Sequence, residues 1–193
     1  IKPYPCCRFG HGAIDLAIMA RQDGIKANAI ARIGVRIYRT DVLTYHNEPK
    51  NPVDAQFNLP YMIAVALLRG RVGLEDFTEE AIRAHDVLDL CGKVAVTDDP
   101  QFTADYPDIY KVELTIDSRD GSRRTYFSDC PNGDPEAERY KDAPRLFHED
   151  ARAKVSSMLA QCGFGDRVTT LRAGVEELPS TASLDRLCET RSE

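Results

Sequence analysis

Apolar residues recur along this chain with two different periods, and each change of period marks an element. In residues 12–22, Ile14, Ala17, Ile18 and Arg21 follow helical spacing, and Gly24 gives a stop signal. Residues 29–39 read as a strand, because Ile33, Val35 and Ile37 alternate with Arg32, Gly34 and Arg36. The segment 40–58 is rich in turn residues, among them Asn47, Pro49, Asn51 and Pro52. A second helix is expected over 60–69, with Pro60 in its first turn and Gly70 just past its end. That helix is apolar nearly all round, which predicts burial.

Further along, 75–83 reads as a short helix and 93–97 as a strand. Residues 109–117 give the cleanest alternation. Tyr110, Val112, Leu114 and Ile116 face one way, and Lys111, Glu113, Thr115 and Asp117 the other. Asp120-Gly121 turns the chain into a strand over 123–128, forming a hairpin. Pro131-Asn132-Gly133-Asp134-Pro135 is a loop by composition. From residue 143 the pattern is helical again. Phe147, Ala151, Val155 and Met158 form one stripe, Val168, Leu171 and Val175 another, and 185–190 reads as a final short helix. The order of elements predicts an α+β fold with a mostly antiparallel sheet and packed helices, followed by a helical appendage whose stripes need a surface to cover.

The chain has 193 residues, 42% of them apolar, and a formal net charge of −6. The acidic balance argues against nucleic acid as a partner, which needs a basic face. It leaves room for a local cationic pocket. No apolar run is long enough for a transmembrane helix, so no membrane partner is expected. The chain opens without a methionine, which points to a piece of a longer protein. Its cysteines are Cys6, Cys7, Cys91, Cys130, Cys162 and Cys188. They show no zinc spacing, and in a chain this long they read as reduced thiols of a cytoplasmic protein.

Chemistry concentrates in the opening loop, Ile1 to His11. It gathers Lys2, Arg8, His11 and two cysteines just before the first helix, whose N-terminus favours anions. This predicts a site for a small carboxylate or phosphate compound. Lys2 is a point charge and Arg8 a bidentate fork for carboxylates. His11 is a candidate base or hydrogen-bond donor. Cys6 and Cys7 beside cations are candidates for lowered pKa values, without a base partner to make either a nucleophile. His46, His85 and His148 show no evident partners in the sequence. Asp86, Asp89, Asp98 and Asp99 lack metal-binding spacing.

The opening loop, the segment 51–61 (Asn-Pro-Val-Asp-Ala-Gln-Phe-Asn-Leu-Pro-Tyr), Lys93-Val94 with Asp99-Pro100, and the 131–135 loop occur in an order that resembles the C-terminal part of the MmgE/PrpD family. That family includes 2-methylcitrate dehydratase, cis-aconitate decarboxylase and iminodisuccinate epimerase. The resemblance implies an α+β lid domain over residues 1–142. Residues 143–193 would be a helical segment returning to an all-helical N-terminal domain. It implies a lyase or isomerase of small di- or tricarboxylates, working without metal or redox cofactor. It also implies a site shared with the helical domain and a homodimer in the intact protein.

The leading activity under this resemblance is 2-methylcitrate dehydration, as in propionate breakdown. The resemblance implies catalytic roles for Lys2, His11 and Tyr61, and Lys2 with Arg8 and Gln56 would contact substrate. Asn58 shares the elbow with Gln56. Cys7 stands where the decarboxylase branch carries a histidine, which counts against decarboxylation. The alternatives are an epimerase of the same family or a module that binds carboxylates or a protein without catalysis.

Overall fold

A computed structural model of the chain describes residues 2–141, 143, 145–161 and 163. The chain divides into two compact units, Ile1–Ala143 and Pro144–Glu193.

In the first unit a 3-10 turn (Arg8–Gly10) runs directly into α1 (His11–Gln22). Strand β1 (Ile30–Ile37) follows, then α2 (Pro52–Ala55) and α3 (Leu59–Arg69). Next come α4 (His85–Cys91), β2 (Val94–Asp98) and α5 (Pro100–Asp105). The hairpin β3 (Val112–Ser118) and β4 (Arg123–Ser128) precedes the short α6 (Glu138–Lys141).

The strands form a four-stranded sheet in the order β2-β1-β3-β4. β1 pairs antiparallel with β3, and β3 antiparallel with β4. β2 joins β1 in parallel, because the connection between them crosses over through α2, α3 and α4. The fold is therefore α+β with a mixed, mainly antiparallel sheet.

One face of the sheet carries Ile33, Val35, Ile37, Val112, Leu114 and Ile116, all buried. α1 lies against β3 and β4 on that side, and α3 packs on α1 and α4. Each fully buried aliphatic side chain of this layer contributes about 1.5–3 kcal/mol. The alternation of β1 fails at Ala31 and Arg32, both exposed, where the pairing with β3 shifts register between Ile30 and Arg32.

Helix α3 starts and stops where its sequence says it should. Asn58 caps it by accepting from the Tyr61 N–H at 2.9 Å, Pro60 lies in the first turn, and Gly70 ends it with φ +71°. The expected helix over 75–83 is replaced by two 3-10 turns, Leu74–Phe77 and Ala81–Arg83. Thr78 between them is extended, and its hydroxyl oxygen accepts from the Ala81 N–H at 3.1 Å, so a new turn begins instead of one helix continuing. Helices α2, α4, α5 and α6 are additional to those expected from the sequence. In α5, Asp99 accepts from the Gln101 and Phe102 N–H groups at 2.8 and 3.0 Å, with Pro100 opening the helix.

In the second unit, α7 (Arg145–Gln161) fits the helical pattern from residue 143, and its Val155 and Met158 are exposed. The stripe Val168, Leu171 and Val175 and the expected helix over 185–190 lie outside the described residues.

At two glycines the start of α1 approaches its neighbours closely. A Cβ on Gly12 would lie 2.8 Å from Val112 Cγ1, and one on Gly10 would lie 2.7 Å from Met62 Sδ. Valine is stiff at χ1, whereas methionine is flexible. Gly12→Ala is therefore expected to cost about 1–3 kcal/mol, and Gly10→Ala clearly less. Urea denaturation of both variants checks the ranking, and equal losses would refute it.

Candidate functional site

The close packing of α1 fixes the loop that precedes it. The Cys7 N–H donates to the Gln56 carbonyl at 2.8 Å, docking the loop on the elbow between α2 and α3. The helical turn begins at Arg8, four residues earlier than the sequence suggested, so the first-turn N–H groups belong to this segment rather than to His11. Lys2 is exposed. Its charge acts on the Cys7 thiol.

Arg8 pairs with Asp134 of the 131–135 loop, Nη2 to Oδ2 at 2.7 Å, and its guanidinium carbon lies 5.8 Å from the Tyr110 ring centroid. The Arg8 Nη1 atom is buried and has no hydrogen-bond partner among the described residues. Arg8 is thus both a tie between two loops and a cation with donor capacity to spare.

His11 is fully buried in the first turn of α1. Its Nε2 lies 3.4 Å from the Cys6 carbonyl, and its ring meets the edge of Tyr4 at 5.1 Å between centroids. A carbonyl only accepts, so this contact places the proton on Nε2 in the neutral ring.

The centre of this region is a residue the sequence reading passed over. Asp15, one turn beyond His11, accepts from the Tyr4 hydroxyl at 2.6 Å. It also accepts from the Asn132 backbone N–H at 2.8 Å and the Asn132 side-chain amide at 3.0 Å. Burial holds its carboxyl above the usual carboxylate range, although these donors and the Arg8 charge pull the other way.

Tyr61 stands apart from these contacts. It is fully buried, its hydroxyl donates to the Asp76 carbonyl, and its ring packs on Phe77 at 6.0 Å. Asp76, also fully buried, is paired with Arg69 and accepts from the Gly73 N–H at 2.7 Å. Met62, the next residue of α3, faces Gly10, and adjacent helix positions point about 100° apart. The side chain of Gln56 is half-buried on the elbow.

His46, which the sequence left without a partner, lies on this elbow. Its Nε2 is 3.2 Å from Asp54, and its Nδ1 accepts from the Asn58 amide at 2.9 Å. Asn58 also donates to the His46 carbonyl at 2.8 Å. His85 pairs with Asp89 on an exposed helix face.

The cysteines do not behave as activated thiols. Burial pushes the Cys7 thiol up, outweighing a backbone hydrogen bond from Phe9 and the Lys2 charge. Burial likewise raises Cys91 to about 12 and Cys130 to about 11. Cys6, Cys7, Cys91 and Cys130 are free thiols, and Cys162 and Cys188 lie outside the described residues. Among the described residues no cluster of three or more His, Cys, Asp or Glu side chains could hold a metal ion. None of their helices is long and apolar enough to cross a membrane.

Residues 4–146 match the MmgE/PrpD C-terminal domain. The chain belongs to the MmgE/PrpD family. Among curated relatives, the 2-methylcitrate dehydratase of Salmonella typhimurium is 38% identical over 77 residues, covering 38% of this chain and 16% of that protein. The 2-methylcitrate dehydratase of Cupriavidus necator is 34% identical over 119 residues, covering 58% of this chain and 23% of that protein. The match therefore spans less than a quarter of each relative's length.

Two tests address the MmgE/PrpD scaffold at this site. Asn58→Ala removes a helix cap and two buried donors, and is expected to cost about 2–3 kcal/mol in chemical denaturation. A loss below about 1 kcal/mol would show that water replaces these bonds. The second concerns pH. Because the folded carboxyl of Asp15 titrates above its unfolded value, the folded state binds the extra proton between the two. Its contribution is present below the unfolded value and lost as pH rises through the folded one. Asp15→Asn should lack that decline, so unfolding midpoints of the two proteins should diverge above the ordinary carboxylate range.

Proposed function

We propose that this chain is the carboxylate-holding portion of a 2-methylcitrate dehydratase-type lyase. The observation that carries the reading is local. Lys2 and Arg8 stand on one loop of an acidic chain, and Arg8 keeps a buried Nη1 without an acceptor among the described residues while Nη2 holds Asp134. An unpaired buried guanidinium nitrogen is costly unless an anion completes it. The names of the matched relatives support the same substrate class.

The chemistry asked of such a site is elimination. A proton leaves the carbon beside a carboxylate, hydroxide leaves the next carbon with a proton supplied to it, and a double bond forms between them. Cations hold the carboxylates and stabilise the negative charge that develops. Lys2 and Arg8 fill that role in our reading. His11 would handle a proton, with the lone pair on Nδ1 when Nε2 faces Cys6. It is buried, so contact with a substrate requires Tyr4 and Cys6 to move. Tyr61 can donate to a substrate only if it releases the Asp76 carbonyl.

The test is turnover by the full-length protein that carries this chain, supplied with 2-methylcitrate and followed by ultraviolet absorbance of the conjugated product. Lys2→Ala should raise KM about tenfold or more, the loss of one charge-assisted hydrogen bond. If 2-methylcitrate and related hydroxy-tricarboxylates all go unchanged, the dehydratase reading falls, and racemisation or epimerisation of a dicarboxylate becomes the assay to run.

A further inference from the structure

We propose that Asp15 is a positioning residue. It clamps the opening loop, through Tyr4, to the 131–135 loop, through Asn132, and so fixes where Lys2 and Arg8 present their charges. The inference rests on the carboxylate reading above.

The geometry shows a clamp rather than a chance contact. Tyr4 and Asn132 approach one carboxylate from two loops far apart in sequence. Oδ1 takes the Tyr4 hydroxyl at 2.6 Å and the Asn132 amide at 3.0 Å, and Oδ2 takes the Asn132 N–H at 2.8 Å. The same two loops are joined a second time by Arg8 and Asp134 at 2.7 Å. Lys2 and Arg8 flank Tyr4 in the chain, so anchoring the Tyr4 side chain limits the travel of both. A carboxylate taken out of water loses hydration that these donors must replace. Its position between two loops is a constraint that an apolar pair could not reproduce, because only an acceptor with two oxygens satisfies all three donors.

The sign of one measurement separates positioning from simple charge. Asp15→Asn removes a negative charge near Arg8, and electrostatics alone would then tighten binding of a polyanion and lower KM. Loss of positioning does the opposite. In the full-length protein we expect Asp15→Asn to raise KM for 2-methylcitrate about tenfold, with kcat changed by less than about threefold. Tyr4→Phe, which deletes one hydroxyl and keeps the ring, should move KM in the same direction by less. It also serves if Asp15→Asn does not fold.

A KM that falls or stays level in folded variants overturns the proposal. So does a loss of kcat alone, in proportion to the protein left unfolded. Should the wild-type protein show no turnover, the dehydratase reading fails, and the clamp is decided by NMR of the 193-residue chain. An upfield shift of the Asn132 amide proton in Asp15→Asn, with faster hydrogen exchange through residues 4–8, upholds the clamp. An unaltered Asn132 amide and unaltered exchange overturn it.

Discussion

At Gly12 and Gly10 the start of α1 sits so near to the sheet and to α3 that a Cβ would press on Val112 or Met62. Gly12 faces Val112 and Gly10 faces Met62, and on these two contacts the placement of the chemistry depends. They seat the helix start so deeply that His11 is buried. The loop before it must then run across the α2–α3 elbow, where Cys7 meets the Gln56 carbonyl. Packing at this density leaves little slack, so the loop's polar residues are positioned by the apolar layer beneath them. The hydrogen bonds of Asp15 then tie the loop to residues 131–135.

Elements whose signal was local were legible in the sequence. The strand at 112–118 alternates cleanly, and Val112, Leu114 and Ile116 of the set that the pattern named are buried, while Tyr110 precedes the strand and is half-buried. Helix α3 carries its cap, its proline and its terminal glycine within a dozen residues. The parallel pairing of β2 with β1 was not legible, because pairing partners of a crossover are set by how the intervening helices pack. The stretch from 74 to 83 failed for a different reason. Its apolar residues suit a helix, but the side chains of Asp76 and Thr78 compete for backbone N–H groups and break the run into two turns.

The candidate site follows the same division. Composition found the cationic loop, since Lys2, Arg8 and His11 lie within ten residues of one another. It could not find Asp15, whose partners Tyr4 and Asn132 meet only after folding. Nor could it find that His46 is enclosed by Asp54 and Asn58, although the elbow itself was marked by its sequence. Asp15 lies four residues after His11 on one helix, and such positions share a face. That spacing was the available signal. A carboxylate among the helix's core-facing residues is rare enough to ask what satisfies it.

Two carboxylates, Asp76 fully buried and Asp15 half-buried, organise this unit, and they differ in what they hold still. Asp76 is engaged by Arg69 and the Gly73 N–H, and its own carbonyl takes the Tyr61 hydroxyl, so it ties α3 to the turn at Leu74–Phe77. Asp15 secures two loops, the opening loop through Tyr4 and the 131–135 loop through Asn132. A hydroxyl that donates to a carbonyl inside the core is satisfied where it stands, and burial keeps it protonated by pushing the Tyr61 pKa upward. Arg8 is the opposite case, with one nitrogen paired and another buried without an acceptor among the described residues. Since an unsatisfied buried donor costs more than a satisfied one contributes, any carboxylate that reaches this loop gains most at Arg8 and least at Tyr61. On the carboxylate reading proposed above, this asymmetry favours the opening loop over Tyr61 as the anion's contact, and Lys2 adds its charge on the same loop.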